Sequence, residues 1–417
     1  MSTQKSVLSF SCEQLSLSAA MLFISYTVIR EVFAFAGVDV NITGIIIIII
    51  EYGLLGLSLF LKKPSSFRFS FVFLFIITVF LIFSQLIHPE YGNIMAKGLS
   101  LQRGVIVILF LCGLSSEDNL VKCISWSGYC SVLNVLFAMI QYFSTGGYWT
   151  STLNGNTRYS SYNMDIGYNA AFAVIILFTE YLKDKKTYKL IISVLLFFIS
   201  LVFGSRGCLL VYAFYGIFVL FNTERSKKKT IVILLLSFIL LIAFLVGFEN
   251  ILLFTANNLE KIGLKSRTLN SLLDTLSLST GVNTSGRDEM WNMLIEKIWD
   301  KPILGYGVFG DQFIFSSVYG ISYFAHNIIL ELFISFGIPI GLVMICLLVH
   351  YCKKTNRKLK GSNIGLYFGA LISYNLGNLM FSNTYWYSTS FWMLIAVIIW
   401  ASYREIEHGK DSVEWRE

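Results

Sequence analysis

The sequence predicts an all-α polytopic membrane protein with about twelve transmembrane helices and a partly helical loop on the outer side. The 417-residue chain is 55% hydrophobic and 14% charged, and its mean hydropathy is +0.68. A soluble domain would carry about 25% charged residues. Apolar runs of membrane-spanning length recur along the chain, and basic residues collect in alternate connections between them. Residues 1–417 therefore read as one integral membrane domain.

Twelve apolar runs are long enough to be candidate spans. The first carries one Lys before it and no small-residue cleavage site nearby, so it is predicted to be a retained span and not a cleaved signal. The predicted spans are 16–37, 41–61, 68–87, 97–114, 120–143, 166–182, 188–203, 206–222, 230–252, 325–350, 362–381 and 388–403.

The basic residues of the short connections predict the topology. They fall after spans 2, 6, 8 and 10, which are all even-numbered connections: Lys62, Lys63, Arg68, Lys183, Lys185, Lys186, Arg225, Lys227, Lys228, Lys229, Lys353, Lys354, Arg357, Lys358 and Lys360. The positive-inside rule places these connections, and with them both termini, in the cytoplasm. The odd connections then face outward, and two are long: residues 144–165 and the loop 253–324 between spans 9 and 10.

Several function classes lose support from the sequence. The seven cysteines show no CxxC spacing, so neither a zinc site nor a disulfide framework is indicated. No P-loop, HExxH or DxD pattern occurs, and no GxGxxG follows a strand. The net charge of +7 is explained by the topology of the basic loops and does not indicate a nucleic-acid partner. No metal and no cofactor are expected.

The long outer loop contains a predicted amphipathic helix in "SGRDEMWNMLIEKIWDKPILGYG". Ser285, with Asp288 three residues later, forms a start similar to a capping box, and Pro302 ends the helix. Apolar side chains then recur at helical spacing, namely Trp291, Leu294, Ile295, Ile298 and Trp299. Such a stripe is typical of a helix at the membrane interface. The glycines of "LGYGVFG" allow a tight turn back toward span 10.

Polar residues that are unusual beside apolar spans concentrate on the predicted outer side: Arg158, Arg206, Arg287, His326, Asn327 and Glu331. Arg103 lies inside span 4 at a less certain depth. Arginine presents a planar fork of donors and keeps its charge when partly buried, which suits phosphate. A group of arginines near one membrane face therefore indicates an anion held there.

A simpler role is open for each of these residues taken alone. Arg206 could extend from the apolar region to the interface, and Arg287 could pair with a neighbouring acid on a solvated face. Arg158 could be a solvated loop residue, and Arg103 could pair with Glu51. His326 could be a structural histidine at a helix start. The shared outer location favours the functional interpretation.

The order of these motifs resembles the O-antigen ligase and polymerase superfamily. Its signature has an Arg, a Trp four residues later, a Pro-(apolar)₂-Gly-x-Gly turn, and a His-Asn pair at the start of the next span. The matching residues are Arg287, Trp291, Pro302, Gly305, Gly307, His326, Asn327, Glu331 and Gly337. "GSRG" resembles the family's Ser-Arg-Gly element. "TRYSSYNMDIGYNAA" resembles its Arg motif but has Met164-Asp165 where the family often has Pro-Asn. The motifs cover residues 155–341.

This resemblance implies a GT-C-type membrane glycosyltransferase that needs no metal. Its donor would be a glycan on undecaprenyl diphosphate, presented on the periplasmic face of the bacterial inner membrane. The expected reaction is polymerisation of the repeat units of O-antigen or capsule, and a polysaccharide chain-length regulator is a further candidate partner.

The expected roles follow from the chemistry of that reaction. Arg206 and Arg287 would stabilise the leaving diphosphate, with Arg158 or Arg103 assisting. His326 would activate the acceptor hydroxyl. Asn327 and Glu331 are further candidates for binding the diphosphate or the glycan. Glu331 lies four residues after Asn327 and is expected to orient either that side chain or the outer loop.

Two alternatives remain open. An O-antigen ligase would transfer the same lipid-linked glycan to lipid A–core. A polysaccharide transporter or flippase would also suit twelve spans, with buried charges such as Glu51 and Arg103 along its path. The long helical outer loop followed by a His-Asn pair favours an enzyme.

Overall fold

The computed structural model describes residues 2–61, 65–92, 104–153, 156–160, 163–222, 287–320 and 323–414, with a few single residues between 253 and 273. The chain forms two compact units. Unit 1 comprises Met1–Cys130 and Glu289–Glu417, and unit 2 comprises Ser131–Asp288. Both are predominantly helical within the described residues.

Most of the described helices belong to unit 1. They are α1 (Ser2–Phe35), α2 (Val40–Leu61), α3 (Ser65–Ile87), α4 (Val107–Cys112), the first half of α5 (Glu117–Ser144), α9 (Arg287–Asp300) from Glu289 onward, α10 (Gly310–Tyr319), α11 (Ile328–Leu359), α12 (Gly365–Phe381) and α13 (Thr389–Glu414). Two short 3₁₀ turns, Pro89–Tyr91 and Gly104–Ile106, follow α3 and precede α4.

Unit 2 holds the second half of α5 and the elements after it. These are β1 (Trp149–Leu153), β2 (Asn156–Ser160), α6 (Met164–Asp184), α7 (Thr187–Phe203) and α8 (Arg206–Asn222).

Six of the described helices are long and apolar enough to cross a membrane: Glu13–Phe35, Val40–Leu61, Phe67–Ile87, Glu117–Ser144, Met164–Asp184 and Ile328–Leu359. Three shorter apolar helices, Thr187–Phe203, Gly207–Asn222 and Thr389–Tyr403, coincide with further predicted spans. The chain is therefore a polytopic membrane protein. Predicted span 9 and the start of span 4 lie outside the described residues, so the count of twelve stays a prediction.

The long helices of unit 1 expose large apolar side chains. Phe60 is 86% exposed, Leu86 73% and Phe75 68%. Contiguous apolar surfaces of this kind are rare on soluble monomers and mark surfaces that meet lipid or a partner. On helices of spanning length, they are the faces that hydrocarbon would cover.

The helix ends of unit 1 meet in two separate groups. In one group, Ser115 donates to Glu13 (3.1 Å), and the Ile364 N–H donates to Glu117 (3.1 Å). In the other group, the end of α3, the start of α11 and the segment between α12 and α13 meet. Its contacts include the Tyr91 hydroxyl donating to the Tyr306 carbonyl at 3.0 Å. Helices α11 and α12 therefore run in opposite directions between the two groups.

The second of these groups surrounds a break in α11. Gly337 has φ 76° and ψ 168°, which interrupts the helix, and Pro339 follows. The freed backbone groups bond to the chain after α9: Tyr306 N–H donates to Ile334 O (2.6 Å), and Ile338 N–H donates to Pro302 O (2.8 Å). A Cβ at position 337 would lie 2.2 Å from Ile303 O, so glycine is required. The Pro-Ile-Leu-Gly-Tyr-Gly turn thus docks into the broken helix, which satisfies backbone groups that lipid could not.

Helix α9 confirms the helix predicted in the long outer loop. Part of its apolar stripe packs inside the protein, whereas the whole stripe was predicted to lie at the membrane interface. It runs from Arg287 to Asp300 and ends before Pro302; the predicted cap Ser285 lies outside the described residues. Leu294 and Ile298 are buried against Ile314, Phe315, Ala325 and Ile334. Ile295 (42%) and Trp299 (69%) are exposed. The stripe is therefore divided between a packed edge and an open edge.

Two elements differ from the sequence prediction. An antiparallel hairpin, β1 with β2, occupies the outer connection that was expected to lack strands, and Ser151 pairs with Arg158. The Asn154-Gly155 dipeptide between alternating residues is typical of a two-residue hairpin loop and was overlooked. Helix α11 also continues to Leu359, so the basic residues Lys353, Lys354, Arg357 and Lys358 lie on its last turns instead of in a loop.

Candidate functional site

His326 lies in unit 1, immediately before α11, in a left-handed backbone conformation (φ 52°) that residues with side chains rarely adopt. Its ring centroid is 4.4 Å from that of Phe324. Its Nδ1 is 3.0 Å from the carbonyl oxygen of Ser382. Because a carbonyl only accepts, Nδ1 carries the hydrogen in this contact. In the neutral imidazole, Nε2 is then the basic nitrogen.

Asn327 is the N-cap of α11. Its Oδ1 accepts from the Ile329 N–H (3.0 Å) and the Leu330 N–H (3.2 Å), and its backbone is extended, as this position requires. The side-chain oxygen is therefore engaged in capping. A role in binding substrate stays a prediction for its amide group.

Glu331 is buried, and its carboxylate accepts a short hydrogen bond from the Thr384 hydroxyl. The Thr384 oxygen in turn accepts from the Trp386 N–H at 3.2 Å. Glu331 therefore orients the connection between α12 and α13. Among the described contacts, none joins its carboxylate to the Asn327 side chain, which corrects the expectation drawn from their i,i+4 spacing.

Asp311 is a second buried acid in this region, and sequence reasoning missed it. Its side chain is fully buried, and its Oδ2 accepts from the Ala325 N–H at 2.8 Å, directly before His326. Burial raises the pKa of Asp311 to about 6, against the opposing effect of the backbone N–H groups of Ala325 and Gln312. An acid after the glycine turn, within the apolar "GDQFIF", was the signal that could have identified it.

The backbone before His326 is held from its other side by α9. The Trp291 indole N–H donates to the Ala325 carbonyl at 2.9 Å. Ala325 is fully buried within the cluster that Leu294 and Ile298 of α9 help to form. Trp291 thus holds the segment that carries His326 and Asn327 by donating to the carbonyl of the preceding residue. We call His326, Glu331, Asp311 and the residues bonded to them the His326 cluster.

Gly104, the residue after Arg103, lies against this cluster. A Cβ on Gly104 would lie 2.1 Å from the Trp386 carbonyl oxygen. Arg103 itself lies outside the described residues, so its predicted role stays a prediction. Its neighbour in the chain runs beside the α12–α13 connection.

The arginine motifs of unit 2 converge at the start of α6. Arg287 is half-buried, and its Nη2 is 3.9 Å from the Met164 sulfur at the first residue of α6. None of the ion pairs among the described residues involves Arg287. The alternative in which it pairs with the adjacent acids is therefore not the arrangement observed.

The Ser-Arg-Gly element reaches the same helix end. A Cβ on Gly167 would lie 2.4 Å from the Gly204 Cα, so the chain just before α8 presses on the first turn of α6. Strand β2, which carries Arg158, ends at Ser160 shortly before α6. The side chains of Arg158 and Arg206 lie outside the described residues. The chain before Arg206 and the side chain of Arg287 thus lie near one helix start, and the strand that carries Arg158 precedes that start in the sequence; we call this region the arginine end.

An apolar groove of about 480 Å³ begins beside the His326 cluster. At one end it is lined by Ile328, Leu332 and Tyr385, and at the other by Phe69 and Tyr403. Between these ends it follows α3, α11 and α13. It runs along α13 from Phe391 to Tyr403, which is about 18 Å of helix. A hydrocarbon chain fits its lining.

Comparisons with known proteins agree with the sequence motifs. Residues 191–346 match a family model described as O-antigen ligase. Similar curated proteins include two named "putative polysaccharide ligase". The one from Rickettsia typhi is 26% identical, covering 52% of this chain and 67% of the relative; the one from Rickettsia conorii is 26% identical, covering 63% and 64%. A third, from Rickettsia felis, is 31% identical over 28% of this chain and 32% of its own length.

These matches confirm the resemblance to the O-antigen ligase and polymerase superfamily. They indicate an enzyme of the glycosyl-transfer type in a membrane-associated family. The aligned regions span about two thirds of the first two relatives. Between the two expected reactions, the names favour the ligase alternative over the polymerase.

Proposed function

We propose that this protein transfers a glycan from a lipid diphosphate donor to an acceptor hydroxyl at the outer face of the bacterial inner membrane. We further propose that it is a ligase whose acceptor is lipid A–core. The observation that carries the reaction is the hydrogen bond from His326 Nδ1 to Ser382, which makes Nε2 the basic nitrogen of the neutral ring, in a segment that borders an apolar groove. The names of the family and of the relatives support the ligase.

In this reaction, the acceptor oxygen attacks the anomeric carbon of the donor sugar. The new C–O bond forms as the bond from that carbon to the diphosphate breaks, and the lipid diphosphate leaves with the electron pair. The hydroxyl proton passes to Nε2 of His326. His326 is thus the proposed base.

The leaving diphosphate gains negative charge, and preorganised cations stabilise such charge most strongly where water is scarce. We assign this role to Arg287 and Arg206, with Arg158 or Arg103 as further ligands. Two observations support it: the guanidinium of Arg287 lies outside the described ion pairs, and the chain before Arg206 packs on the same helix start that Arg287 contacts. The donor proposed is undecaprenyl-diphosphate-linked glycan. Its hydrocarbon chain would occupy the groove that begins at Ile328, two residues after His326.

The proposed topology has twelve spans, a GT-C-like arrangement and both termini in the cytoplasm. The opposite directions of α11 and α12 support it, as do the basic residues at the end of α11 that is farther from the His326 cluster. The His326 cluster then lies on the periplasmic side, where a lipid-linked glycan would be presented.

The deciding experiment is deletion of the gene in the bacterium that encodes this chain, followed by gel analysis of its surface and lipid-linked polysaccharide. Polymer that accumulates on the lipid carrier and never reaches lipid A–core supports the ligase. A single repeat unit on lipid A–core, without a ladder, indicates the polymerase instead. Repeat units trapped on the cytoplasmic leaflet indicate a transporter, and an unchanged pattern contradicts all three.

A further inference from the structure

Two buried acids approach the His326 segment from different parts of unit 1. Asp311, on α10, bonds to the backbone N–H of Ala325 at 2.8 Å. Glu331, on α11, bonds to Thr384, close to Ser382, whose carbonyl faces the imidazole. Neither acid has an ion-pair partner among the described residues, so each acts through hydrogen bonds. The segments on both sides of the His326 ring are thus held by carboxyl groups.

The backbone of His326 needs such support. A φ of 52° in a residue with a side chain is unfavourable and persists only where the surroundings impose it. Ala325, the preceding residue, is fully buried and bonded at both of its backbone polar groups, by Asp311 and by Trp291. Asn327, the following residue, caps α11. The ring conformation is therefore set by its neighbours.

We propose that Asp311 is a positioning residue: by accepting the Ala325 N–H, its carboxyl holds His326 in the conformation that aims Nδ1 at Ser382 and makes Nε2 the basic nitrogen of the ring. This inference rests on the proposed function only where it predicts a loss of product. The geometric part holds for any reaction at His326. A neutral acceptor at position 311 is sufficient, because the bond needs an oxygen and not a charge.

The titration of Asp311 gives the inference a pH signature. Three titratable groups face it: Glu331 on α11, Tyr385 before α13, and Tyr91 after α3. Burial raises its pKa from 3.8 to about 6. The folded protein therefore binds this proton more tightly than the unfolded chain, so the stability that this group contributes is fully present below pH about 4 and is lost as pH rises through about 6. An asparagine at this position does not titrate.

The test compares Asp311→Ala with Asp311→Asn in the full chain, purified in detergent. Diethyl pyrocarbonate labels accessible neutral imidazoles, and mass spectrometry reads each histidine separately. His350, exposed on the distant turns of α11, is the internal reference. We expect Asp311→Ala to raise the labelling rate of His326 at least about fivefold and to leave His350 unchanged. Asp311→Asn should stay within about twofold of wild type at pH 6.

The same variants are scored for product in the deletion strain. Misplacing a reacting group by about 1 Å costs on the order of 10²-fold in rate, so Asp311→Ala should lose between about tenfold and a hundredfold of product. Asp311→Asn should restore it. As pH rises from about 4 to about 8, the thermal midpoint of the wild type should fall relative to that of Asp311→Asn, because only the wild-type carboxyl becomes charged in its buried site.

Asp300→Ala is the matched control, since it removes a carboxylate that is 54% exposed at the end of α9. Where Asp311→Ala fails to accumulate in the membrane, Trp291→Phe loosens the same segment by removing only the indole N–H. Wild-type His326 labelling in Asp311→Ala and Trp291→Phe would overturn the inference, and so would equal damage in Asp311→Asn and Asp311→Ala. If Asp311→Ala raises the labelling of His326 but His326→Ala leaves the amount of product unchanged, the proposed function fails and the positioning role of Asp311 stands.

Discussion

The His326 cluster and the arginine end place their functional residues in different ways. In the His326 cluster, directed hydrogen bonds from buried groups fix single backbone atoms beside the imidazole. At the arginine end, close backbone packing brings whole elements together, as the Gly167–Gly204 contact does. A proton acceptor needs one atom in one orientation, whereas several cations can share the stabilisation of a diffuse diphosphate charge. We therefore expect the His326 cluster to be the less tolerant of small changes.

The largest effect expected is that of His326→Ala. Removing a general base lowers rate by about 10²–10⁴-fold, so polymer transfer should fall below detection on a gel, while the amount of protein in the membrane stays unchanged. His350→Ala removes an exposed histidine from α11, the helix that follows His326, and should behave as wild type. Near-normal product from His326→Ala would remove this residue from the mechanism.

The next effect tests the arginine end. Arg287→Ala should reduce product by about 10²–10³-fold through loss of charge stabilisation. Arg287→Lys should recover only part of this, because an ammonium lacks the planar fork that binds two phosphate oxygens. The control is Arg357→Ala, at the far end of α11, and gel densitometry provides the measurement. Full recovery by lysine would mean that charge alone suffices there.

A smaller but distinct effect is expected at the break in α11. Gly337→Ala places a Cβ 2.2 Å from Ile303 O at a φ of 76°, so the docked turn must shift. We expect a loss of about 1–3 kcal/mol in the free energy of unfolding, read as a lower thermal midpoint. Gly56→Ala is the control, since nothing lies within 4 Å of the Cβ it adds. Equal midpoints for the two variants would show that the break tolerates a side chain.

Gly167→Ala is the corresponding change at the arginine end. Its Cβ would lie 2.4 Å from the Gly204 Cα, so the chain before α8 must move away from α6. We expect product to fall by about tenfold, because Arg206 moves with that chain. Gly216→Ala on α8, where the added Cβ meets nothing within 4 Å, is the matched control. Unchanged product would show that the close contact between Gly167 and Gly204 does not determine the position of Arg206.

The smallest effect expected is at Asn327. Asn327→Ala removes the N-cap of α11 and should cost about 1 kcal/mol in stability. Asn327→Ser keeps a capping oxygen and removes the amide N–H₂, so it should match wild type in thermal midpoint. If Asn327→Ser nevertheless loses product, its amide group binds substrate as the sequence predicted. If Asn327→Ser keeps wild-type product, Asn327 acts only as the N-cap of α11.

Local signals predicted much of the fold. The apolar runs predicted twelve spans, and at eleven of these positions the structure describes at least part of a helix. The periodicity around Trp291 predicted α9, and Pro302 its end. The hairpin was missed although Asn154-Gly155 carried its signal. Hydropathy and periodicity are properties of neighbouring residues, so they report elements well and contacts between elements poorly.

For the candidate site, too, the sequence predicted individual residues, and only the structure showed the contacts between them. The sequence by itself determined the membrane class, the motif order and the choice of His326 and Arg287, because residue type and spacing carry that information. Only the tertiary structure decided that His326 Nδ1 faces Ser382, that Glu331 serves Thr384, and that Asp311 belongs to the site. These partners lie from 14 to 56 positions apart in the chain. Such pairs form only when helices of alternating direction bring their ends together, and no local pattern encodes which ends will meet.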